Sequence, residues 1–155
     1  MTLDSTPLFT FERVSPQTSG YLRIVRASAW YDLIVTAGFA TPWTYVLVHR
    51  ALSSLGTFPP VDFIQTLYAN LMGSVVIVWA LLRLFRTLPL HGLYDGIARV
   101  LFASWQTYAL AHGAPKVLAL FLVVEISFGV VQLLPWSVGG VRARERTQPG
   151  RPSVR

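Results

Sequence analysis

Asp32, Asp95, Arg99 and Glu125 stand well inside largely apolar runs. A charge among hydrocarbon is costly, so such residues pair with one another, face an interior and mark ligand or proton paths. Asp95, Arg99, Phe102 and Gln106 are spaced four, three and four apart. A helix with 3.6 residues per turn therefore presents all of them on one face. Asp95 and Arg99 can pair along that face, and Arg99 can also serve Asp32 across a bundle. The related line in the first run, Asp32, Thr36, Phe39 and Trp43, has no arginine. Glu125 and Gln132 are seven apart, again on one face. At 1.5 Å per residue, Glu125 lies about 12 Å from the nearer end of its run. Asn70 and Gln106 fall at a similar depth on two other runs.

That convergence predicts a layer in which Glu125, Asn70 and Gln106 meet the polar head of a quinone, lipid or similar amphipathic ligand. The i,i+4 pairs Tyr45/His49 and Tyr108/His112 would line a mouth above it. Blander roles compete at each position. Asp32 and Asp95 could complement helix dipoles or form ion pairs. The Tyr and His residues could belong to an interfacial aromatic belt, and Asn70 and Gln106 could bond helices together. Glu125 resists such a reading most, because a carboxylate at that depth must be protonated or paired.

The elements that must hold these residues are four apolar runs, at about 27–48, 63–84, 93–112 and 117–136. Each has roughly 20 residues, enough for a hydrocarbon core near 30 Å. Gly38 and Pro42 interrupt the first, which predicts a kink unless neighbours satisfy the freed carbonyl. The stretch GTFPP is a linker, TLPLHG a short connection and Gly113 to Lys116 a tight turn. Pro135 and the Gly139-Gly140 pair predict the end of the fourth run. Residues 1–26 read as a cytoplasmic tail and interfacial segment, and 137–155 as a basic tail disordered by composition. The mixed polar make-up of residues 1–20 is unlike a secretory signal, and the first apolar run is expected to be a retained helix.

Composition agrees with this organisation. Of 155 residues, 53% are hydrophobic and 13% charged, against about a quarter charged in soluble domains. The formal charge is +6, but its distribution is not that of a nucleic-acid face. Eight Lys and Arg lie on the two tails, and Arg83 and Arg86 flank the middle connection. Only Arg50 and Lys116 lie on the opposite loops. The positive-inside rule then places both termini in the cytoplasm of a multi-pass protein of the bacterial inner membrane.

The run Tyr94–His112 also repeats Tyr31–His49. Nine of nineteen positions are identical: the Tyr-Asp pair, Ile34/Ile97, Phe39/Phe102, Ala40/Ala103, Thr44/Thr107, Tyr45/Tyr108, Leu47/Leu110 and His49/His112. At roughly 7% chance identity per site, one or two would be expected. Because each copy contains two spans, both copies share an orientation, a parallel repeat. Gly73 and Gly129 are the suggested counterparts on the second helices. The fold expected is all-α, a four-helix transmembrane bundle built by duplicating a two-helix hairpin.

The absence of cysteine excludes disulfides, thiolate catalysis, cysteine metal sites and the four-helix class of vitamin K epoxide reductases. The histidines have no carboxylate at metal-ligand spacing. No serine has a histidine base at its depth, and no phosphate-cradling glycine loop is present. Catalysis is therefore not the favoured expectation.

Four short spans, both termini inside and a polar interior resemble the DoxX-like group of small bacterial membrane proteins. That resemblance implies the bundle fold and an association with quinone-linked or other redox systems. The block VVEISFGVVQLLPW, around Glu125, also resembles the acid-bearing helix of the EXPERA fold, where a membrane-embedded acid belongs to a lipid pocket. The paired acids of the isomerases in that fold have no identifiable counterpart here. The leading expectation is a membrane protein that binds an amphipathic ligand, with no resident cofactor other than a quinone or lipid. The alternatives are an accessory subunit of a larger membrane complex, with a protein partner or a second copy, and a small proton-linked transporter.

Overall fold

The computed structural model describes residues 18–146, with side chains from 19 to 138, and its regular secondary structure in this range is all helical. Helix α1 spans Thr18–Thr36, and a 3-10 turn at Ala37–Phe39 leads to α2, Pro42–Ser53. Helices α3 (Phe63–Phe85), α4 (Pro89–Ala111) and α5 (Leu118–Arg146) follow. Two segments, Phe63–Phe85 and Leu118–Val138, are long and apolar enough to cross a membrane.

Local chemistry explains most of the boundaries. Pro42 lacks an N–H, so α1 cannot run through it as a regular helix. Thr41 begins α2 instead, accepting a bond from the Thr44 amide at 3.2 Å. Asp62 caps α3 through the Gln65 amide at 2.7 Å, and Pro89 opens α4, where no amide hydrogen is needed. The end of α4 is a Schellman motif: Ala114 N–H donates to Ala109 O and Gly113 N–H to Leu110 O, with Gly113 at φ 90. Helix α1 starts at Thr18, so the interfacial segment before the first run is helical and continuous with it. The sequence signals erred at the far end of the chain. Helix α5 passes through Pro135 and continues to Arg146. The proline keeps a helical φ and costs one bond, to the carbonyl of Val131, rather than ending the helix. The part of the expected basic tail from 137 to 146 is thus helical, while 1–17 and 147–155 lie outside the described residues.

Helix α1 is the common element. It runs along α3 and also touches α4 and α5, while α4 and α5 form the closest pair. Glycines permit these approaches. A Cβ on Gly73 would lie 2.6 Å from the Phe39 backbone, and one on Gly96 would lie 2.7 Å from Leu133 Cγ. Gly92, four residues before Gly96, faces Val25 of α1 instead. Small residues at such crossings let helix backbones come close.

The polarity of the molecule is inverted relative to a soluble domain. Among the described residues, the buried apolar side chains are only those of Val25, Ala29 and Ala80. The largest fully buried side chains are those of Arg83, Arg99 and Gln132. Large apolar side chains line the outside instead, among them Ile34 at 74% exposed, Val78 at 68% and Leu120 at 67%. An exposed apolar surface of this extent marks a face that meets lipid or protein.

Candidate functional site: a buried charge cluster beside a groove

Four helices contribute to one polar cluster. Arg99 of α4 occupies its centre and reaches three carboxylates. Its Nε donates to Asp95 Oδ2 at 3.2 Å, Nη1 to Glu125 Oε2 at 2.8 Å, and Nη2 to Asp32 Oδ1 at 2.8 Å. Arg83 of α3 enters from the other side. Its Nη1 lies 2.6 Å from Asp95 Oδ2 and donates to Ser28 Oγ at 2.8 Å, and its Nη2 bonds Asp32. Asp95 is the most heavily solvated by protein: Ser28 Oγ donates at 2.7 Å, Gln132 Nε2 at 2.7 Å and Trp79 Nε1 at 3.2 Å. Aromatic faces complete the enclosure. The Arg99 guanidinium lies 4.9 Å from the Phe128 ring centroid and 5.9 Å from that of Tyr31, and Arg83 lies 5.5 Å from Trp79.

Burying ions is expensive, and close pairing recovers that cost only when the geometry is good. Here nearly every charged oxygen has a partner, and both arginines bridge helices that the backbone alone would leave apart. The i,i+4 pairing of Asp95 with Arg99 and the reach of Arg99 to Asp32 are those expected from spacing. The dipole role suggested for Asp32 is not its setting. It lies four residues from the C-terminal end of α1, where an acid opposes the dipole, and two guanidiniums hold it there.

A groove of about 660 Å³ runs between α4 and α5 beside this cluster and opens to the exterior. Arg99, Glu125, Ala103 and Gly129 lie at its more buried side, and Val100, Ile126, Val130 and Leu134 form exposed apolar walls. Ser104, Thr107 and Ser137 add hydroxyls along it. From Glu125 to Ser137 it extends along about 18 Å of helix. The absent side chain of Gly129 and the small one of Ala103 create the space.

The other expected site residues fall elsewhere. Asn70 Nδ2 donates to Phe39 O at 2.8 Å, satisfying the carbonyl freed where α1 breaks before Pro42. Gln106 lines no part of the groove, and its Oε1 is buried without a partner. Asn70 sits against the 3-10 turn and Glu125 lines the α4/α5 groove, so the three side chains do not form one site. Tyr45 and His49 meet edge to face at 6.3 Å, and His49 Nε2 pairs with Pro59 O at 2.9 Å. Tyr108 and His112 stack at 4.1 Å, with Tyr108 60% exposed. Both pairs are local contacts, apart from the charge cluster.

Sequence reasoning passed over Arg83, Ser28 and Trp79. At the end of an apolar run, Arg83 also fits the positive-inside signal of the middle connection. A usable signal was present: Gly73, Ala80 and Arg83 are seven and three apart, all on the single buried face of α3. Among the described residues, no group of three or more His, Asp or Glu could hold a metal ion. No family model, curated protein or solved structure matches the chain.

Proposed function

We propose that the protein is a four-span membrane protein of the bacterial inner membrane that binds a quinone, lipid or similar amphipathic molecule in the α4/α5 groove. The observation that carries this reading is an elongated, apolar, outward-opening groove whose buried side includes Glu125 and the Arg99 that donates to it. The apolar length suits a hydrocarbon chain, and the few polar groups would fix the orientation of a head, the usual division of labour in small-molecule sites. An entrance on the apolar exterior suits a ligand arriving from the bilayer.

The membrane reading is supported by the inverted polarity and the two segments of spanning length. In it, α1 and α2 together make the first crossing and α3, α4 and α5 the others, with both termini cytoplasmic by the distribution of Lys and Arg. Two hairpins related by duplication account for the repeat and for the pairing of α1 with α3 and α4 with α5.

Native mass spectrometry of protein purified from its own membranes in mild detergent tests the binding role. A stoichiometric small amphipathic molecule on the wild type, lost on Ser104→Trp, is the expected result. Ser104 is an exposed groove residue whose side chain bonds only the Val100 carbonyl, so this change fills the groove without touching the charges. A wild type without ligand, accompanied instead by a fixed protein partner, would replace binding with an accessory role in a larger assembly.

A further inference from the structure

The cluster contains three carboxylates, Asp32, Asp95 and Glu125, and two guanidiniums, Arg83 and Arg99. With all five ionised it would hold one uncompensated negative charge in an apolar surround, a state that such sites avoid by taking up a proton or a cation. The described residues offer no cation site of three or more acidic or histidine ligands. The partners of each acid then decide where a proton would go. Both arginines bond Asp32. Asp95 takes bonds from both arginines and from Ser28, Gln132 and Trp79. Glu125 has one partner, Arg99, on Oε2, while no hydrogen bond reaches its Oε1 from any described residue.

Glu125 is also the acid that lines the groove. We infer that Glu125 carries a proton at neutral pH, and that this proton is a hydrogen-bond donor that the buried side of the groove offers to a carbonyl-bearing amphipathic ligand. The ligand half of this inference rests on the binding role proposed above; the proton half does not. The groups facing Glu125 are Arg99 and, at longer range, Asp95 from α4, and Asp32 and Tyr31 from α1. Arg83 of α3 lies behind the two aspartates, already committed to them. Arg99 favours a negative Glu125, and the aspartates oppose it. Because Arg99 also serves both aspartates, its single charge cannot balance all three acids.

Infrared spectroscopy of the full-length protein in lipid reads the proton directly. The wild type at neutral pH should show the carbonyl stretch of a protonated carboxylic acid, shifted in deuterium oxide and missing from Glu125→Gln. A wild-type spectrum without that band overturns the inference whether or not a ligand binds. The donor role is read by titrating with a decyl-substituted benzoquinone, which offers two carbonyls and an apolar tail. Wild type and Glu125→Gln, whose amide still donates, should bind comparably, while Glu125→Ala should bind about tenfold more weakly, the loss of roughly one hydrogen bond. Wild-type binding should weaken as pH rises through the titration of Glu125, and Glu125→Gln binding should not. Equal binding by all three proteins, or wild-type binding that does not change with pH, would overturn the donor role. Failure of the wild type to bind the quinone would remove both the donor role and support for a carbonyl ligand, leaving the proton to stand or fall by its infrared band.

Discussion

Tyr31–His49 and Tyr94–His112 match at nearly half their positions, yet the fold uses them differently. The first is broken between α1 and α2, and its polar neighbours repair the break: Asn70 takes the Phe39 carbonyl, and Thr41 caps the restart. The second is a continuous helix, α4, packed along α5. Where the first copy has Thr36 the second has Arg99, which joins all three buried acids. The acids at the matching positions, Asp32 and Asp95, therefore end in one cluster, but of these two segments only Tyr94–His112 supplies a cation to it. Asp32 and Asp95 occupy matching positions, whereas the Arg99 that joins them has no counterpart in Tyr31–His49.

The comparison can be broken most severely at Arg99. Arg99→Thr, which restores the residue of the first copy, removes one of two cations from three acids. It should destabilise the protein by about 3–5 kcal/mol or prevent folding, measured as thermal unfolding in detergent. Thr36→Ala, at the matching position, should stay within about 0.5 kcal/mol of wild type. If both changes were equally mild, the cluster would not hold the helices together.

The second helices give a contrast of intermediate size. A Cβ at Gly73 would meet the Phe39 and Ala40 backbone at 2.6 to 2.9 Å, whereas at Gly129 the nearest atom, Arg99 Cβ, is 3.5 Å away. Gly73→Ala should cost about 1–3 kcal/mol through overpacking. Gly129→Ala should be neutral or gain up to about 1 kcal/mol from helix propensity. Reversed signs in the same unfolding assay would mean that α3 and the 3-10 turn at Ala37–Phe39 are not in the contact described.

The smallest contrast separates two buried amides. Asn70→Leu forfeits the bond to the Phe39 carbonyl and should cost about 1 kcal/mol. Gln106→Leu removes an amide oxygen that has no partner and should be neutral or slightly stabilising. Equal losses at the two positions would assign Gln106 a partner of its own.

These contrasts also show what the sequence could convey. The Asp95–Arg99 pairing is legible because i,i+4 spacing on a helix fixes it, whatever surrounds the helix. The depth of Asn70, Gln106 and Glu125 is legible from residue counts. Their azimuth is not, since it depends on how each helix rotates against its neighbours. Arg83 was obscured because a cation at the end of an apolar run has two physical explanations, topology and burial. The Gly73, Ala80, Arg83 face would have decided between them. Pro135 was read as punctuation, but a proline on an exposed face of a long helix costs one bond and needs no break. The groove was legible only in part. Glu125 marked its level, while the small residues Ala103 and Gly129 that open it gain meaning once α4 and α5 are known to be neighbours.

The binding role proposed above puts the ligand in the α4/α5 groove and not on the outer face of α3. Tryptophan placed in each, Ser104→Trp in the groove and Val75→Trp on the 68% exposed face of α3, tests it most directly. Both proteins would be extracted from native membranes and compared by native mass spectrometry. A bound amphipathic molecule present on wild type and Val75→Trp but absent from Ser104→Trp is the predicted result. A molecule retained equally by both variants, or displaced only by Val75→Trp, would contradict it.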